Sequence, residues 1–350
     1  MTFLRATVLD AASGFALAQR AEQADADADF AGSPAWLQAT AATLGESSLV
    51  HVALCDAAES VVGYLALQRT RAGWRSGLPG RATLSWPMAA LGYGFRPRWL
   101  SGGGGPWLQA LRARFPRHRL ELCRTAPEAC ESLPAPPGIE VTPGIATWAL
   151  CQPGTREQWL AGLQGKHRRD LAKYRRDIER GGGRWLDLGT ADDAALTACF
   201  QLHTTRLQQK GKAQARLSAT AERFYRALAA GTAGLALRLS LLQHDGRHVA
   251  ACLSFVHRRR LKAFVSGWDR SHARWDLGRQ VLYHQVLGEF DRGLDEIDFL
   301  GGDLDYKREF GLSRQPTVDV VDAGGALARL CSRVVGGARR AVRRLRLEVR

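Results

Sequence analysis

The chain has 350 residues, 45% apolar and 8% aromatic, with 49 Lys and Arg against 34 Asp and Glu. That length exceeds one ordinary hydrophobic core and predicts two domains. The net charge of +15 favours anionic partners (nucleotide phosphates, tRNA, acidic glycans or anionic lipid headgroups), although an arginine-rich genome yields the same count. The seven cysteines are scattered and odd in number, without a CxxC pair, which argues against a disulfide framework and for reduced thiols in a cytoplasmic protein. The nine histidines show no metal-ligand spacing with them, so no metal is expected. No apolar run approaches the ~18 residues of a membrane span. Met1–Leu17 carries Arg5 and Asp10 and makes a poor secretory signal.

In chain order, a helix is expected over 33–44, with Ser33 as N-cap and Pro34 in the first turn. Strands follow at 49–54, 61–69 and 82–86. A glycine loop at 101–106, a short helix at 107–115 and a strand at 119–123 complete the first half. Prolines 134, 136, 137 and 143 mark a linker over 131–144, so that a first domain spans 1–130 and a second 145–325. The second half reads as a strand at 145–151, a helix over 156–180, a helix from Asp192 carrying Leu196, Phe200 and Leu207, and strands at 235–242 and 248–257. Asp245-Gly246 joins those two strands as a hairpin turn. A third strand at 261–268, a helix at 277–290 and a strand at 296–300 ending in Gly301-Gly302 follow. Residues 326–350 place apolar side chains at helical spacing beside eight arginines, a basic amphipathic helix suited to an anionic membrane or to its own protein surface. Strand, strand, strand, helix, strand is thus read in each half, although no residue-level repeat accompanies it.

Four constellations could carry chemistry. On the helix over 156–180, Lys166, Arg169, Lys173, Arg176 and Arg180 share one face, which would receive phosphates or simply be solvated. His203 and Arg206 lie one turn apart; a His–Arg pair can hold an anion and leave a neutral imidazole as base. Asp303, Tyr306 and Lys307 follow a strand end and two glycines that permit close backbone approach. Asp303 is either a general base or an ion-pair partner of Lys307. The turn at 274–279 has a single glycine, Gly278, before a helix. Neither Gly-x-Ser-x-Gly nor a Cys/His nucleophile pattern occurs, so covalent catalysis has no support.

The run of hairpin strands, helix and strand, with Lys-Arg helix, Leu202-His203-x-x-Arg206 and Phe299-Leu300-Gly301-Gly302-Asp303-Leu304-Asp305-Tyr306-Lys307, resembles the GNAT acyltransferases. The branch it resembles is the FemAB-like and CelD-like one, in which two such domains sit in tandem. The resemblance covers 145–315 well and the first half only as helix plus strands. It implies an α/β (α+β) fold of two GNAT-like domains, each a mixed, mostly antiparallel sheet flanked by helices. It implies an enzyme that moves an acyl group from acetyl-CoA or another acyl-CoA to an amine or hydroxyl of a small molecule or glycan, in cell-envelope or polysaccharide metabolism. On this resemblance Tyr306 is the acid for the leaving thiolate, with Asp303 or His203 as base. Trp268, Gly278, Arg279 and Lys307 would face the donor, and Arg206, Lys173, Arg176 and Asp269 the acceptor. GNAT enzymes place a two-glycine turn where this chain has only Gly278, which leaves open an aminoacyl-tRNA donor or a non-catalytic binding module; the basic tail 326–350 would allow peripheral contact with the inner membrane face.

Overall fold

The computed structural model describes residues 3–25, 29–70, 82–101, 105–131, 138–190, 192–209, 218–231, 234–301 and 305–322. Asp303 and the basic segment 326–350 lie outside the described residues. Two compact units result, one of the described residues up to Gly144 together with Pro316–Asp322, the other of Ile145–Gln315.

The first unit begins with β1 (Arg5–Leu9), α1 (Ala11–Ala24) and α2 (Pro34–Leu44). Ser33 caps α2 by accepting from the Trp36 amide at 3.2 Å, as the Ser-Pro start predicts. Next come β2 (Leu49–Cys55), β3 (Val61–Thr70), β4 (Thr83–Ser85), β5 (Arg98–Trp99), α3 (Trp107–Arg114), β6 (Arg119–Thr125), α4 (Glu128–Glu131) and β7 (Ile139–Pro143). All seven residues of β2 are buried, the pattern of a strand covered on both faces.

The second unit contains β8 (Thr147–Cys151), α5 (Arg156–Gly162), α6 (Gly165–Arg180), β9 (Arg184–Leu188), α7 (Asp193–Gln209) and α8 (Ala219–Ala229). Then follow β10 (Leu235–His244), β11 (Arg247–His257), β12 (Arg260–Trp268), a 3-10 turn over Arg270–Trp275, α9 (Leu277–Phe290), β13 (Glu296–Gly301), α10 (Asp305–Glu309) and β14 (Ser313–Gln315). Its seven strands run in the order β14-β8-β13-β12-β11-β10-β9, with the β10–β11 hairpin closed at Asp245-Gly246 as expected. Every neighbour pairing is antiparallel except β12 with β13.

Three expectations need correction. The helix over 156–180 is two helices, because Leu163 takes an extended conformation between Gly162 and Gly165. Glycine is a poor helix former, and the break turns Leu163 into the core. The linker over 131–144 is not a linker throughout, since β7 occupies 139–143 at the edge of the first sheet, a position that tolerates Pro143 opposite Val318. The second domain does not run to 325. The last described strand, β15 (Val318–Asp322), returns to the first sheet and pairs with β6 and β7, completing the order β1-β2-β3-β4-β6-β15-β7 with β5 on β3.

Val320 on β15 is fully buried. A carboxylate there has no partner to offset its desolvation. Val320→Asp is expected to cost about 3 kcal/mol or more, visible as a drop in the urea midpoint with an unchanged slope.

Candidate functional site

The parallel pair β12–β13 is in register only at Arg260–Lys262 opposite Glu296–Asp298. At the last rung the Lys262 ammonium meets the Asp298 carboxylate at 3.1 Å, both buried. Beyond it β13 leaves β12 for a physical reason. The other Asp298 oxygen accepts from the Leu300 amide at 2.6 Å, and Leu300 turns to φ 52°. The Lys307 ammonium, 1% exposed, donates to the carbonyls of Phe299, Leu300 and Gly301 at 2.8–2.9 Å. Backbone groups that would extend the ladder are satisfied elsewhere, so the sheet opens. This corrects the expectation that Lys307 meets a donor: its three donors go to the strand end.

The margin of the opening is built by α7. A Cβ on Gly267 would lie 2.2 Å from the His203 amide nitrogen and 2.3 Å from the Leu202 carbonyl carbon, so only glycine lets the α7 backbone rest on β12 here. At that depth His203 Nδ1 reaches the Ser266 carbonyl at 2.8 Å, and Arg206 reaches the same oxygen at 3.2 Å. A carbonyl only accepts, so Nδ1 carries the proton. Burial holds the His203 pKa below its ordinary 6.5, leaving a neutral ring with a free Nε2 lone pair. The Arg206 guanidinium stacks 3.9 Å over Trp268. Its charge also acts on Tyr306, whose phenol burial pushes up to about 12, so the group stays protonated at neutral pH. Cys252, opposite Ser266 on β11, is pushed up to about 12 by burial and is no thiolate nucleophile.

Four of the expected residues, His203, Arg206, Trp268 and Tyr306, therefore converge. The others do not. The glycine at 278 makes room for an indole: a Cβ there would sit 2.7 Å from the Trp268 ring. Arg279 is held between Asp276 and Glu309, each at 3.3 Å, so its charge is neutralised locally. Asp269 accepts from the Ser271 amide at 2.9 Å and shapes the 3-10 turn. Lys173 and Arg176 stand on the exposed face of α6. Sequence reading placed the strand edge near Ser266 to Asp269 at the thioester carbonyl but did not reveal the close approach of α7 at Gly267; a lone glycine within an apolar strand was the available signal.

Two predictions follow from this packing. Lys307→Met strips three buried carbonyls of their donor and is expected to destabilise by roughly 3 kcal/mol, measured by urea unfolding. His203 and His167 are both held below their ordinary value by burial, so the unfolded chain binds protons more readily than the folded one. Stability is full above 6.5 and is expected to decline as pH falls through 6.5 and below, with a pH series of unfolding midpoints as the check.

Residues 165–308 match the family model of the acetyltransferase (GNAT) domain. No curated protein matches the chain in sequence. Among solved structures, FemX is similar at 10% identity and a TM-score of 0.63, over 90% of this chain and 96% of FemX. The C-terminal domain (DUF2156) of a putative lysylphosphatidylglycerol synthetase from Agrobacterium fabrum is similar at 12% identity and 0.53, over 92% of this chain and 95% of that one. L-PGS from Bacillus licheniformis follows at 12% and 0.50, over 77% and 86%. Residues 165–308 thus match a GNAT acetyltransferase domain, within a two-sheet chain whose fold is similar to that of FemX.

Proposed function

We propose that this protein is an acyltransferase whose second unit moves an acyl group from an activated donor to an amine or hydroxyl acceptor. The observation that carries the reading is the opening of the sheet past Lys262 and Asp298, flanked by a neutral imidazole and a protonated phenol. An acyl-CoA would supply the thioester carbonyl. The β12 edge at 265–268 fits its acyl end. The phosphate end would depend on first-turn N–H groups of α9, since Arg279 is already paired. His203 Nε2 takes the proton from the attacking amine as the new bond to the acyl carbon forms. Tyr306 gives its proton to the leaving sulfur as the old bond breaks, and Arg206 keeps that phenol near a positive charge. Direct transfer agrees with Cys252, the cysteine opposite Ser266, being held in its thiol form by burial.

The acceptor we infer is a small amine or glycan building block of the cell envelope, met from the Arg206 side. A second reading is aminoacyl transfer from tRNA. Lys166, Arg169, Lys173, Arg176 and Arg180 are all exposed along α6, and none forms an ion pair among the described residues, which favours a polyanionic donor.

Mass detection of products from an acyl-CoA panel with amine acceptors tests the first reading. His203→Gln and Tyr306→Phe are each expected to lower turnover by about 10²-fold or more with the fold intact. Turnover should also fall as pH drops below the lowered His203 pKa, because the base becomes protonated. Unchanged turnover in both variants would end the assignment. For the second reading, a tRNA gel shift should weaken steeply with salt and with Lys173→Ala plus Arg176→Ala.

A further inference from the structure

On the far side of α9 from its first turn, a cavity of about 210 Å³ lies between the second half of that helix and the strands β9 and β10. That volume leaves room for several waters and suits a small metabolite. Its lining is charged, and the charges are organised. Glu289 is 3% exposed and its carboxylate is shared by Arg238 and Arg292. Arg156 spans both oxygens of Asp291. Asp187 accepts from Ser240 at 2.6 Å and from His284 Nε2 at 2.9 Å. Each lining carboxylate is therefore engaged, while four arginines stand against three acids (4 − 3 = 1). Arg175 is the cation whose acidic partner, Glu179 at 3.3 Å, lies outside the lining.

Two further observations point to an occupant. The His284 ring is fixed twice, by Asp187 and by stacking on Trp185 with centroids 4.2 Å apart and planes 8° apart. Its other nitrogen, Nδ1, is buried without a hydrogen-bond partner, and so is the Nε of Arg156. A buried polar atom without a partner costs ~1–3 kcal/mol, and two such atoms belong to residues that line this cavity, each covered so that a ligand would reach it only after a small turn of the side chain.

We propose that this cavity is a second binding site, separate from the acyl-transfer opening, for a small carboxylate- or phosphate-bearing molecule. Arg175 and Arg156 hold the anionic group. His284 and the engaged carboxylates of Asp187 and Glu289 hold the walls in place. The site does not rest on the acyl-transfer reading and persists if that reading fails.

The test is titration of the full chain with inorganic phosphate, glucose 6-phosphate and glucuronate, followed by calorimetry and thermal shift. Expected is saturable one-site binding of at least one of the three, with Arg175→Ala raising its Kd about tenfold or more. Arg175 is half-exposed, so the variant should fold, and an unchanged melting temperature without ligand confirms it. Arg314→Ala, which removes an exposed cation on β14, should leave the Kd unchanged. Glucose 6-phosphate binding above inorganic phosphate indicates a phosphorylated sugar, and glucuronate binding above both a sugar acid. No saturable binding of any of the three, or equal losses in both variants, overturns the proposal.

Discussion

A buried ammonium held by three backbone carbonyls is the interaction on which the second unit depends. Lys307 collects the oxygens of Phe299, Leu300 and Gly301, while Asp298 takes the Leu300 amide. Together they satisfy the polar backbone that β13 would otherwise offer to β12. A parallel pair that loses its ladder must either bury unpaired groups or find them other partners. Here the partners come from the β13 residue Asp298 and the short helix just after the strand, so the strand leaves its neighbour with these backbone groups still paired. The Lys262–Asp298 pair marks the point of departure.

The second constraint is steric. Gly267 has no Cβ, and α7 uses that space to bring its backbone against β12. The closeness delivers two side chains, one turn apart, to a single carbonyl at the parted edge. Fixing His203 Nδ1 on that carbonyl sets the tautomer, and burial keeps the ring uncharged. Proton-accepting capacity at Nε2 is thus a consequence of how a helix lies on a strand. Trp268 shows the same economy of space: Arg206 covers one part of the indole and the Gly278 backbone another.

Much of the second unit was legible in the sequence. The hairpin at Asp245-Gly246, the apolar strand at 261–268 and the helix at 277–290 have strong local patterns, and the structure has each. The one-turn spacing of His203 and Arg206 was enough to put them together. What was not legible is long-range. β15 is five residues of mixed polarity, and only its seat between β6 and β7 makes it a strand of the first sheet. Lys307 and Arg279 looked like ligand cations because sequence displays charge but not the carbonyls and carboxylates that neutralise it. Gly278 looked like a phosphate turn, and its neighbour Trp268 comes from ten residues upstream through a fold contact that no spacing rule reveals.

Hydrogen exchange of the full chain, with and without an acyl donor analogue, tests the central claim most directly. The account predicts slowed exchange at the amides of 265–268 on β12 and around 203–206 on α7, where the sheet has parted. Protection confined to other segments, with those amides unchanged at saturating donor, would contradict it.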